Sequence, residues 1–202
     1  MGRSAGPDII LSEATSFMHN SATQYGSVAR FLHWAIAILI IVTLPCAWVM
    51  TNSGPGPLQN FLFVVHESIG LTVLALAVLR VIWRLVEPPP PLPASVPPGQ
   101  ALLAHLNHWL LYFLLFLMPV SGYLSVIAGG YPLNFFGLFD VPRLVAKSDG
   151  LAKLTETAHA TLQYAVYALV LAHVAAALHH HWARHDGVLR RMWPARHAPA
   201  AE

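Results

Sequence analysis

The chain has 202 residues, 56% of them hydrophobic and only 10% charged, with a formal net charge of +2 at pH 7 and a mean hydropathy of +0.56. Soluble domains carry about a quarter charged residues, so this composition belongs to an integral membrane protein and gives no ground for a nucleic-acid partner. The single cysteine, Cys46, excludes a disulfide framework, a four-thiolate iron-sulfur cluster and covalent haem attachment, and leaves any redox centre to the 12 histidines.

Residues 1–23 read as a flexible leader with one basic residue and no apolar signal core, and Met18 offers an alternative start. Residues 24–194 then form one domain, followed by a tail at 195–202. Four apolar segments, at about 31–50, 61–83, 102–128 and 157–181, each reach the roughly 20 residues that cross a hydrocarbon core. Backbone groups in lipid must be satisfied within the segment, which predicts an all-α, four-helix membrane bundle.

The first span opens with RFLHW (Arg30–Trp34) and holds Pro45 as a candidate kink, as Pro119 is in the third. NSGPGP (Asn52–Pro57) reads as a tight turn into the second span, which carries VHESIG (Val65–Gly70). EPPPPLPASVPPGQ (Glu87–Gln100) reads as a polyproline spacer leading to the third span, AHLNHWLLYFLLFLMPVSGY (Ala104–Tyr123). The loop Gly129–Gly150 mixes aromatics with turn formers, and the fourth span ends in three consecutive histidines, His179 to His181. Arg30, Arg80, Arg84, Arg184, Arg190, Arg191 and Arg196 gather on one side, while the 51–60 loop has no Lys or Arg, so both termini are expected in the cytoplasm of a multi-pass inner-membrane protein. Arg143, Lys147 and Lys153, in the loop before the fourth span, break that pattern.

His159 and His173 lie fourteen residues apart on nearly one helix face, about 21 Å along the axis, toward opposite membrane surfaces. His33 starts the first span and His66 lies near the other surface in the second, so His33 with His173 and His66 with His159 form two same-side pairs. A haem between each pair would take the imidazoles as axial ligands, with a hydrogen-bond acceptor holding each second ring nitrogen. A single membrane histidine also serves as a helix-to-helix hydrogen-bonding residue, but four with this spacing and sidedness point to iron ligation. The inner pair meets only if the first helix begins before Arg30 or the fourth outruns the hydrocarbon.

Together with LRVIWRLVEPPPP after the second span and LRRMWP after the fourth, these segments resemble the bacterial cytochrome b561 family over about residues 24–194. The resemblance implies two haem b groups with His33, His66, His159 and His173 as iron ligands. It also implies electron transfer to a ubiquinone, either as a superoxide:ubiquinone oxidoreductase or as a cytochrome subunit relaying electrons for a dehydrogenase or hydrogenase. A histidine-lined metal transporter stands as the non-redox alternative. His180, seven residues beyond His173 on nearly the same face, is the candidate quinone-site ligand or proton donor, against a solvated or metal-binding helix end. Arg80 and Arg84 are candidates to neutralise haem propionates, against a role as snorkelling anchors. Gly70 and Gly122 would let a flat macrocycle approach, or else serve helix packing. His105 and His108 read as interfacial residues, as contacts to propionate or quinone, or, with no Cys or carboxylate near, least readily as a metal pair. Arg143, Lys147 and Lys153 would steer superoxide toward the outer haem, although Asp140, Asp149 and Glu156 make a mixed-charge loop the simpler reading.

Overall fold

The computed structural model describes residues 17–193, so residues 1–16 of the expected leader, the tail 195–202 and Arg196 lie outside the described residues. Four long helices form: α1 Ser27–Asn52, α2 Pro57–Val86, α3 Pro98–Ala128 and α4 Asp149–His179. Each is long and apolar enough to cross a membrane. They begin where local chemistry dictates. Pro57 and Pro98 occupy first-turn positions, where a missing N–H costs nothing, and the Ser148 side chain accepts the Leu151 N–H at 3.4 Å at the start of α4. Pro45 and Pro119 lie inside α1 and α3.

The helices extend past the apolar runs at both ends. α1 begins at Ser27, before Arg30, and α4 runs to His179 and continues as a π-helical turn, His180–Arg184, before a 3₁₀ turn at Leu189–Arg191. The first of the two alternatives for bringing His33 level with His173, a helix that begins before Arg30, is met. α1 packs on α2, α2 on α3 and α3 on α4, so the bundle reads as two helical hairpins, α1–α2 and α3–α4, facing one another across a cleft. Ile36, Ile69 and Val73 are buried together in it, flanked by Leu39, Ile40, Leu76 and Leu115. Thr155 is the one buried residue of α4, whose inward face lines the cleft rather than a filled core.

Two short strands, β1 Asn134–Phe135 and β2 Phe139–Asp140, pair antiparallel in the loop between α3 and α4. This hairpin is fastened to α2: the fully buried Ser68 hydroxyl accepts the Phe136 N–H at 2.8 Å while giving its own proton to the Val64 carbonyl at 2.6 Å, with the Asn134 carbonyl 3.4 Å away. At the opposite end, the last residues assigned to the leader are tied down rather than free. The Asn20 N–H and side chain donate to Glu87 and Pro88, His19 bonds the Glu87 carboxylate at 3.0 Å, and Gly26 N–H donates to Asn20 Oδ1 at 2.8 Å. A Cβ at Gly26 would overlap the Met18 carbonyl, so this crossing of the segment over α1 needs glycine.

Candidate functional site

The cleft brings four histidines together as two pairs. The rings of His66 and His159 have centroids 6.1 Å apart, and so do those of His33 and His173. Each pair joins one hairpin to the other, α2 to α4 in the first and α1 to α4 in the second. Imidazole nitrogens bond divalent metals at about 2.0 Å, so two rings on opposite sides of one ion stand with centroids roughly 6 Å apart. Both pairs match that separation, and neither is close enough for a direct ring-to-ring hydrogen bond to account for it.

Space accompanies the first pair. Two cavities, of about 310 and 220 Å³, share His66, His159, Gly70 and Pro119 in their walls and so both adjoin the pair. One is lined chiefly by apolar side chains such as Leu114, Leu115 and Val166. The other includes Glu67, Tyr123 and Glu156, carrying the polar lining toward the α3–α4 loop. A Cβ on Gly70 would meet no protein atom within 4 Å, which makes this glycine part of the cavity wall. Gly122 clears something different: a Cβ there would stand 3.1 Å from His159 Cε1, so the room it leaves is for the imidazole itself.

The second ring nitrogens are held at this end. His159 Nδ1 lies 2.9 Å from the Met118 carbonyl and 3.1 Å from Ser121 Oγ, and His66 Nδ1 lies 3.2 Å from Thr43 Oγ1. The Met118 carbonyl accepts only, so it fixes the proton of His159 on Nδ1 and leaves Nε2 as a lone pair, the form that binds a metal. At the His33 end the surroundings are cationic instead. Arg80 reaches His33 Nδ1 at 3.4 Å, donates to the Ala29 carbonyl at 3.1 Å and bonds the Tyr112 hydroxyl at 3.0 Å, while Arg84 lies over the Tyr112 ring. Among the described residues neither guanidinium has a carboxylate partner. A pair of unmatched arginines beside a histidine pair suits a ligand that carries acids of its own.

His105 and His108 separate. His108 turns inward, its ring 5.3 Å from that of His173, while His105 is exposed, which removes the metal-pair geometry. His180 lies in the π-helical turn with its Nδ1 bonded to the Asp186 carboxylate. Arg143, Lys147 and Lys153 do not form a free basic patch: Lys153 pairs with Glu156 at 3.3 Å, Lys147 with Asp149 at 3.9 Å, and Arg143 donates to the Gly130 carbonyl at 3.1 Å. Sequence reasoning missed Thr43, Ser121, Glu67 and Asp186. Ser121 had a usable signal in its place beside Gly122. Thr43 had none, since nothing local ties it to a histidine 23 residues away.

Residues 24–195 match the sequence profile of the family described as Prokaryotic cytochrome b561. A protein of Escherichia coli K12 named Cytochrome b561 homolog 2 is 36% identical over 175 residues, covering 86% of this chain and 93% of that one. A Yersinia pestis protein named Probable superoxide oxidase CybB is 29% identical over 174 residues, with 85% and 96% covered. The Escherichia coli protein named Cytochrome b561 homolog 1 is 28% identical over 175 residues, with 86% and 98% covered.

Proposed function

The chain belongs to the prokaryotic cytochrome b561 family of membrane electron-transfer proteins, and on that premise we propose that it binds two b-type haems, one at each histidine pair, and reduces ubiquinone with electrons taken from superoxide. The observation that carries the two-haem reading is the repeated 6.1 Å separation of His66 from His159 and of His33 from His173. When bound, the haems supply one-electron chemistry at two levels of the membrane.

The chain's own part follows from its residues. His66 and His159 hold one iron and His33 and His173 the other. Thr43, Ser121 and the Met118 carbonyl orient the first pair, and Arg80 and Arg84 neutralise acids at the second. Ile36, Ile69 and Val73, with Leu115 packed against them, form the apolar cluster between the two levels. In the overall reaction two superoxide anions become two molecules of oxygen, and one quinone takes the two electrons with two protons. His180, beyond the His33 pair, donates protons there. The excess of arginine at that end supports a cytoplasmic location for it and for both termini in a bacterial inner membrane.

The superoxide reading draws support from the name of the Yersinia pestis relative. The second reading, a relay subunit fed by another redox protein, is favoured by the paired charges of Lys147 and Lys153, which leave no basic funnel at the other end. Purified protein should contain two haems per chain and, on addition of superoxide, reduce a soluble ubiquinone. His66→Ala and His159→Ala should each remove the same haem and leave the other, whereas His33→Ala and His173→Ala remove its counterpart. Loss of one haem by both His66→Ala and His173→Ala would refute the pairing, and two haems with no response to superoxide would leave the relay reading.

A further inference from the structure

Past His173 the chain makes an irregular exit whose geometry serves one contact. α4 widens into the π-helical turn His180–Arg184, His185 takes a left-handed conformation at φ 52°, and Gly187 follows at φ 77°. A left-handed histidine and a π turn each cost backbone energy and persist where the surroundings hold them. Together they fold Asp186 back beneath the last turn of the helix. Its carboxylate side chain is only 4% exposed and its neighbour His180 13%. One carboxylate oxygen takes His180 Nδ1 and Arg184 Nε, the latter at 3.4 Å, and the other accepts the Val188 N–H at 3.3 Å. Arg184 is itself anchored, donating to the Ser95 carbonyl of the proline-rich linker at 2.7 Å.

Burial works to raise the Asp186 carboxyl, but the His180 hydrogen bond, the Val188 N–H, the charge of His180 and the Arg184 hydrogen bond outweigh it and hold this group below the usual aspartate value. Asp186 is therefore ionised at neutral pH and can only accept. His180 Nδ1 must donate to it, leaving Nε2 with no hydrogen bond recorded from the described residues. His180 follows His173 by seven residues, where α4 ends and the π-helical turn begins.

We propose that Asp186 is the positioning partner of His180, holding its proton on Nδ1 so that Nε2 is the atom that hands a proton to the reduced quinone. This rests on the quinone-reducing reading above. Nε2–H of the imidazolium passes its proton to a quinone oxygen, and the ring relaxes to the neutral Nδ1–H tautomer. Water at that end re-protonates Nε2, and the Asp186 carboxylate keeps its charge throughout, stabilising the imidazolium that forms and is spent in each transfer. Among the described residues, the charged and titratable groups in contact with the ring or its carboxylate partner are His179, 6.0 Å away between centroids, and Arg184; from the 3₁₀ turn, Arg191 is turned away to the Thr23 carbonyl and the Tyr25 ring.

The test uses the full chain in lipid nanodiscs with ¹⁵N-labelled histidine, His180→Gln assigning the signal. The parent should show neutral His180 with its proton on Nδ1, and Asp186→Asn, whose amide can donate to Nδ1, should move that proton to Nε2. In the same samples, reduced with dithionite, Asp186→Asn should slow quinone reduction at least tenfold and flatten its pH dependence, while both haems remain bound and reducible. Asp186→Glu, which keeps the carboxylate, should retain the Nδ1–H tautomer and recover most of the rate; complete loss there would overturn the proposal. A tautomer or pH profile unmoved in Asp186→Asn, with quinone reduction intact, would also overturn it. A parent that shows the Nδ1–H tautomer but never reduces quinone would overturn the quinone reading instead, and the proton-delivery role with it.

Discussion

A methyl group at Gly122 would press on His159 Cε1 at 3.1 Å, whereas one at Gly70 would point into the cavity beside the same histidine pair and touch no protein atom within 4 Å. The two glycines look alike in the sequence, each in a span and each a candidate for haem clearance. Cβ direction separates them, and direction depends on helix rotation that composition does not encode. Gly122→Ala should displace the His159 ring and lower haem content at the His66–His159 pair in proportion to its movement. Gly70→Ala should leave the haem-free protein as stable as the parent, or more stable by up to about 1 kcal/mol, because alanine is the better helix former. It should nevertheless cut haem occupancy at that pair severalfold, since the methyl takes room from the ligand. Thermal unfolding of the haem-free protein, alongside haem quantification, checks both, and full haem content in Gly70→Ala would show that this wall does not bound the site.

The segment ending the leader and the proline-rich linker hold each other, although the sequence offers them as a flexible tail and a spacer. Local composition could not show this, because Asn20 and His19 find Glu87 across 67 and 68 residues. The helices were legible because apolar length in lipid leaves the backbone one choice; these contacts were not, because side-chain pairing between distant loops follows no period. The His19 hydrogen bond holds the Glu87 carboxyl below the usual glutamate value against an opposing effect of desolvation, and the Asn20 N–H and the His19 charge add to the lowering. A depressed carboxyl stabilises the docked segment above its unfolded value, about 4.3, and that contribution is lost as pH falls through the folded value. Hydrogen exchange at Asn20 and Gly26 should therefore be about threefold or more faster in Glu87→Gln than in the parent at pH 6. The gap should close as both are taken below about pH 4. No gap at pH 6 would assign the docking to the Asn20 side-chain bonds with the Glu87 and Pro88 carbonyls instead, and a gap that persists to pH 3 would show that the carboxylate charge is not its source.

At the scale of the whole bundle, one spacing recurs on every helix. Fourteen residues separate His159 from His173 on α4, His66 from Arg80 on α2, His108 from Gly122 on α3, and His33 from Ala47 on α1. In each case one member lies at the His33–His173 level and the other lines or supports the His66–His159 level. Fourteen residues are about 21 Å and nearly four whole turns, so a helix can serve both levels from one face. The histidine part of this rule was legible in the sequence; the arginine, glycine and alanine positions became meaningful only once rotation and packing were known.

Charge divides the molecule along the same axis. Toward the His33 level lie Arg30, Arg80, Arg84, Arg184 and Arg191, and among the described residues only Arg184 has a carboxylate within ion-pair distance. Toward the His66 level, Arg143, Lys147 and Lys153 are offset by Asp140, Asp149 and Glu156 in the same stretch, two of them in direct pairs, and Glu67 and Glu156 line the cavity itself. Steering of a small anion needs a net field that survives over a Debye length, about 10 Å at 0.1 M salt, and paired charges with an acidic lining do not supply one. If superoxide is the donor, it should therefore arrive at the His66 end by diffusion alone. Raising ionic strength from about 20 to 200 mM should change the initial rate of superoxide-driven haem reduction by less than about twofold. Converting Arg143, Lys147 and Lys153 together to Gln should leave the rate within a similar margin, with dithionite reduction as the control for intact haem. A steep fall with salt in the parent, abolished in the triple variant, would show that these three residues draw the anion in despite their carboxylate partners.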